Sequence, residues 1–151
     1  MRSLSHAQVI AMFERVGEIT LFTEANIVDW GGSEPHAINW LSARVDVKSD
    51  GPCVYLWVEE LPHSAPVVLY IGKAGSTLAR RCYQHSQGFR GANRGKAHAE
   101  QLVARIKSGS RIGIYGLWPD PVPFAGEMIA SHSSVEDWLI GVTTPKPERN
   151  R

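Results

Sequence analysis

"CVYLWVEELPHSAPVVLYIGKAGSTLARRCYQH", residues 53–85, is the stretch on which the fold turns. Two β-branched and aromatic runs, 53–58 and 67–72, flank a polar, proline-containing connection, the pattern of a hairpin with a long loop. The second run stops at Gly72-Lys73, and a helix follows from about Ser76, where Ser76 or Thr77 can cap it. Leu78 and Cys82 then point to a core, while Arg81 and His85, four apart, share a different face. A Gly-Lys pair between a strand and a cationic helix raises phosphate chemistry. The nucleotide version fails by counting: a P-loop needs a glycine five positions before the pair and a hydroxyl after it, where this chain has Val67 and Ala74. No G-x-G-x-x-G bridges strand and helix either. The remaining candidate is a phosphate in the backbone of a nucleic acid.

Working outward, charge agrees with that choice. Nine Lys and Arg side chains between Lys73 and Arg111, among them Arg80, Arg90, Arg94 and Lys96, face only Glu100, a formal +8. The chain as a whole carries +1, so everything outside this segment sums to −7. A basic centre in an acidic chain is the footprint of a polyanion-binding face; the alternative is a surface whose cations pair with acids from the flanks. A chain of 151 residues suits one domain with its own core, and 43% hydrophobic against 21% charged residues argues against disorder. Cys53 and Cys82 form no CxxC pair and read as reduced, apolar fillers. No apolar run suits a signal peptide or a membrane helix, so a cytoplasmic protein with no membrane partner is expected.

Upstream, "SHAQVIAMFERVG" predicts a helix, with Ser5 and Gln8 at capping-box spacing, Val9, Met12, Phe13 and Val16 as its stripe and Gly17 as its stop. Residues 18–51 give mixed signals, and Trp30 and Trp40 there read as core cover. Downstream, "KAHAEQLVARIKSG" is an amphipathic helix, "RIGIYGLW" a third strand followed by a Pro-rich turn, and "SSVEDWLIGV" a last helix with Val135, Trp138, Leu139 and Val142 inward. Three strands flanked by helices make a small α/β layer.

These separated elements resemble the GIY-YIG nuclease family. The first half-signature stands as Cys53-Val54-Tyr55, with cysteine for glycine and valine for isoleucine. The second is intact as Tyr70-Ile71-Gly72, followed by Lys73-Ala74. The helical Arg-x-x-x-His step matches Arg81 and His85, with Arg80 as the alternative arginine. The metal-binding glutamate matches Glu136 in "VEDWLI", with Glu127 as runner-up, and the closing Pro-x-x-Asn element matches Pro147 and Asn150. The literal Gly113-Ile114-Tyr115 follows the YIG element and is set aside as a decoy. The resemblance implies a small three-stranded antiparallel sheet flanked by helices over residues 51–151, preceded by a helical extension over residues 1–50.

It also implies a metal-dependent endonuclease. A two-metal design would gather several carboxylates; the basic centre holds only Glu100, which favours one metal. Magnesium keeps most of its waters and is held by a single carboxylate plus substrate phosphate. By the resemblance that carboxylate is Glu136, with Mg²⁺ expected and Mn²⁺ as a substitute. Arg81 stabilises charge on the phosphoryl oxygens. Tyr55 is the expected general base and Tyr70 the orienter, with Lys73 and Arg81 expected to bring the phenol down from its usual pKa of about 10. His85 relays a proton or holds a phosphate. Arg80, Arg90, Arg94, Lys96 and Asn150 are the expected contacts to DNA, double-stranded by expectation, and a homodimer is left open. Taken singly, Glu136 would complete a capping box with Ser133. A compact stand-alone enzyme, restriction-like or a defence nuclease, fits the length. The competing readings are a non-catalytic nucleic-acid-binding module on the same scaffold and an RNA-directed nuclease.

Overall fold

The computed structural model describes residues 2–21, 36–41, 51–89 and 94–150. In chain order its elements are α1 (His6–Ile10), β1 (Glu14–Leu21), β2 (His36–Trp40), β3 (Cys53–Glu60), β4 (Val67–Ala74), α2 (Leu78–Phe89), α3 (Arg94–Lys107), β5 (Arg111–Leu117), β6 (Val122–Phe124), β7 (Glu127–Ile129) and α4 (His132–Val142), with a 3-10 turn at Glu148–Asn150. The expected hairpin is β3–β4, antiparallel, and β5 is the third strand, antiparallel to β3 on its other side.

The sheet has five strands, not the three expected. Its order is β2-β1-β5-β3-β4, antiparallel throughout, so the segment before residue 51 supplies two of its strands. The predicted helix over residues 5–17 is correct only for its first turns. Ser5 does form the capping box with Gln8, but the helix ends at Ile10 and Glu14 opens β1. Gly17 lies within that strand opposite Trp40, and a Cβ on it would come within 3.0 Å of the Trp40 ring, so glycine here admits the indole. The Pro-rich turn also contains structure, the two-stranded hairpin β6–β7.

Strand β3 explains the unbroken apolar run that opened the reading. Residues 53–58 are each at most 1% exposed, because both faces of the sheet are covered. Cys53, Tyr55 and Trp57 join a core with Val16, Ile19, Ile38, Leu78, Cys82 and Leu102, under α2 and α3. Val54, Leu56 and Val58 join Val9, Val68, Ile71, Leu139 and Val142, under α1 and α4. Both cysteines are free and buried in the first of these cores. Trp138 departs from its expected inward place and is 44% exposed. Trp40 packs against the first core, whereas Trp30 lies outside the described residues.

Strand β4 is an edge, and side chains from both ends of the chain satisfy it. The Val68 N–H donates to His6 Nδ1 (2.9 Å); the Ile71 N–H donates to Asn150 Oδ1 (2.7 Å), and Asn150 Nδ2 donates to the Ile71 carbonyl (2.8 Å). Side chains thus occupy places that another strand would otherwise claim. No helix among the described residues is long and apolar enough to cross a membrane.

Candidate active site

Tyr55 on β3 and Gly72 on β4 are directly opposed. A Cβ at Gly72 would stand 2.5 Å from both Cζ and Oη of Tyr55 and 2.7 Å from Tyr70 Cε2. Only glycine leaves room for the two phenol rings to lie over this strand. A register shift beside Trp57 adds Leu69 to β4, and both Leu69 and Tyr70 then turn toward the core containing Tyr55. Cys53, the departure from the glycine of the first half-signature, adopts no positive φ and fits an ordinary strand.

Helix α2 starts where Thr77 Oγ1 accepts the Arg80 N–H (3.2 Å), so Thr77 is its cap. One turn in, Arg81 and His85 point back over the sheet. Tyr55 Oη and His85 Nε2 share a short hydrogen bond, and the two rings meet edge-on with centroids 5.8 Å apart. Helix α4, on the opposite side of the sheet, brings Glu136 to the same sheet edge. These meet in an open cleft of about 440 Å³ lined by Tyr70, Ile71, Arg81, His85, His98, Glu136, Ile140 and Asn150. Tyr55 is fully buried behind that wall. Lys73 is exposed and stands 3.8 Å from the Glu136 carboxylate.

The electrostatics depart from one expectation. Tyr55 is held well above the usual phenol range rather than below it. Burial raises it most, Tyr70 adds to the rise, and the opposing charge of Arg81 is too small to reverse them. His85 is driven down to about 3 by burial first, then by its electrostatic interactions with Arg81 and His98. At neutral pH the pair is therefore a phenol beside an uncharged imidazole. Glu136 is raised, chiefly by its own burial and further by Asp137, against the pull of Lys73 and Arg81. Arg81 donates to Gln84 (3.2 Å), but its buried Nε has no hydrogen-bond partner among the described residues. A buried guanidinium donor lacking an acceptor suits an anionic oxygen arriving from outside.

Arg81 rather than Arg80 faces the cleft; Arg80 is exposed. Asn150 lines the cleft, with its amide oxygen and nitrogen both engaged by Ile71. Arg90 lies outside the described residues, as do the side chains of Arg94 and Lys96 at the start of α3. Glu127 is exposed on β7, away from the cleft lining. The capping-box role for Glu136 is excluded, since α4 begins at His132 after Ser131 and Glu136 lies beyond its first turn. Tyr115 of the decoy packs against the other face of the sheet, donates to Glu60 (2.6 Å) and is pushed up to about 12 by burial and that carboxylate. Two residues of the site were not anticipated. His98 of α3 lines the cleft, and Trp57 supports it from beneath. The signal for His98 was its place one turn before Leu102 on the inward stripe.

The donor set also bears on a metal. Among the described residues no three His, Cys, Asp or Glu side chains converge to chelate an ion. One hard carboxylate in the cleft fits a hydrated Mg²⁺, which needs only one or two such ligands beside water and phosphate. A second hollow of about 400 Å³, beside Arg15, Glu60 and Arg111, is a closed ion-pair network: Arg15 bonds Glu60 through two nitrogens, and Arg111 bonds Glu18. Comparison with protein-family models, with curated proteins and with solved structures returned no match.

Proposed function

We propose that this chain is a metal-dependent endonuclease of GIY-YIG type, hydrolysing DNA phosphodiester bonds. The observation that carries the reading is one cleft drawing together Tyr70, Arg81, His85, Glu136 and Asn150, residues spread over half the chain, with an acceptor-less Arg81 donor buried in it. Each supports a distinct step. Arg81 binds a non-bridging phosphate oxygen and strengthens that bond as charge grows in the transition state. Glu136 would hold Mg²⁺, which when bound supplies charge neutralisation at the scissile phosphate. Tyr70 orients the attacking water from the cleft wall.

The base in this proposal is the Tyr55–His85 pair and not Tyr55 alone. A phenol raised above its usual range does not rest as phenolate at neutral pH, so Tyr55 accepts a proton only by passing its own to His85 Nε2. His85 faces the cleft, and although it refuses a proton in the free protein, the negative charge of a bound phosphate would raise its basicity and let it receive one. Lys73 beside Glu136 tunes that carboxylate and gives way when a cation binds.

The test is a cleavage panel of plasmid, linear, branched and single-stranded DNA and matched RNA, with Mg²⁺ or Mn²⁺. Cutting of DNA is expected, lost with chelator and reduced by at least about 100-fold in Glu136→Gln and in Tyr55→Phe. Undiminished cutting by Glu136→Gln sinks the metal assignment, and binding without cutting under every metal makes the chain a non-catalytic module.

A further inference from the structure

Helix α3 turns an apolar stripe inward, and Leu102 on it is buried. One turn earlier the same stripe presents His98, only 8% exposed. Its ring is held firmly, 5.7 Å from Trp57 at an interplanar angle of 85° and 5.9 Å from Tyr70 at 62°. Trp57 and Tyr70 pack on each other at 4.8 Å, and the same two rings carry His85 at 4.9 and 6.0 Å. Two imidazoles thus share one aromatic support, and both reach the cleft.

Their surroundings divide their work. His85 is bonded to Tyr55 and kept uncharged, with the neighbouring His98 among the causes. Its Nε2 is committed to proton transfer with the phenol. On the cleft wall, His98 is the second imidazole, fixed in place by the Trp57 and Tyr70 rings. We propose that His98 is a substrate-contacting residue whose ring N–H binds a non-bridging phosphate oxygen of the nucleic acid in the cleft. The inference rests on the nuclease reading and extends it by naming a second phosphate donor beside Arg81.

Two measurements test it on the full chain. In the first, ¹⁵N signals of the histidine rings are followed by NMR while a short DNA duplex is added in chelator. The His98 signals are expected to shift while those of exposed His63 stay in place. In the second, wild type, His98→Leu and His98→Gln are compared in cleavage. Leucine fills the space without a donor and is expected to lower kcat/KM by about 10- to 100-fold, mainly through KM, as loss of a hydrogen bond to a charged group implies. Glutamine restores an N–H and is expected within about threefold of wild type. A wild type that cuts DNA while the His98 signals do not move overturns the contact and leaves the nuclease reading standing. So does His98→Leu cutting like wild type, or glutamine rescuing nothing. A shifting His98 signal in a protein that never cuts supports the contact and removes the nuclease. No cutting and no shift removes both.

Discussion

His85 shows how burial sets the chemistry of a single side chain. Its folded pKa of about 3 lies below the ordinary 6.5, because it is buried among the Tyr55, Tyr70 and Trp57 rings and interacts with Arg81 and His98. Below about pH 6.5 the unfolded chain takes up a proton that the folded chain refuses. Stability associated with His85 is therefore complete above that pH and is lost as pH falls toward 3. By linkage the loss between pH 7 and pH 4.5 is about 2–3 kcal/mol. Urea unfolding of wild type and His85→Asn at both pH values checks this. The variant, lacking the titrating ring, is expected to lose less on acidification by that difference; equal losses would show that His85 is not a buried neutral group. Tyr55, Tyr70, Arg81 and Glu136 could be read from the chain because each belongs to a short local pattern. For His98 the chain shows only a place on an inward stripe; its meaning depends on α3 lying over Trp57 of β3 and Tyr70 of β4.

Among the elements, β1 was the hardest to read, for a definite reason. Its register against β5 shifts between Arg15 and Gly17, so Val16 and Ile19 both reach the same core although three residues apart. The helical spacing of Val9, Met12, Phe13 and Val16, with a true capping box just upstream, carries the predicted helix on to Gly17, although Val16 already lies in the strand. Helix α4 lies where its apolar stripe predicts, and of the two roles open to Glu136 the structure removes only the cap. Since Glu136 does not cap, its carboxylate does little for the helix; burial raises its pKa, and its 3.8 Å contact with half-exposed Lys73 is weak compensation. Glu136→Gln is therefore expected to hold or raise stability by up to about 1 kcal/mol while, under the proposed function, lowering cleavage by at least about 100-fold, the trade-off expected where a poorly compensated buried group serves function. Thermal melts beside cleavage assays check it, and a loss of more than about 1 kcal/mol would restore a structural role for the carboxylate.

For the whole molecule, the uneven charge was plain in the chain, but its division between structure and binding was not. Arg105 is bonded to Glu59 at 3.0 Å and to Glu148 at 2.5 Å, tying α3 to β3 and to the turn that carries Asn150. Arg111 is bonded to Glu18, and Lys73 faces Glu136. Among the described residues, acids from the flanks thus engage three of these cations, as the competing reading of the basic segment expects. Arg80 and Lys107 remain exposed, and Arg90, Arg94 and Lys96 add to the formal charge of the same segment. Binding through such a surface releases counterions in proportion to the phosphates neutralised, with a slope of about −0.9 per phosphate in log affinity against log salt. If all nine cations met phosphate the slope would approach about −8; with the three paired ones held by their carboxylates, six contacts give about −5. Fluorescence anisotropy with a labelled duplex in chelator, between about 50 and 200 mM salt, measures it. A slope near zero would remove the basic segment as a phosphate-tracking face. A slope near −8 would mean that the Arg105 and Arg111 pairs open on binding, releasing the 3-10 turn whose Asn150 closes the edge of β4.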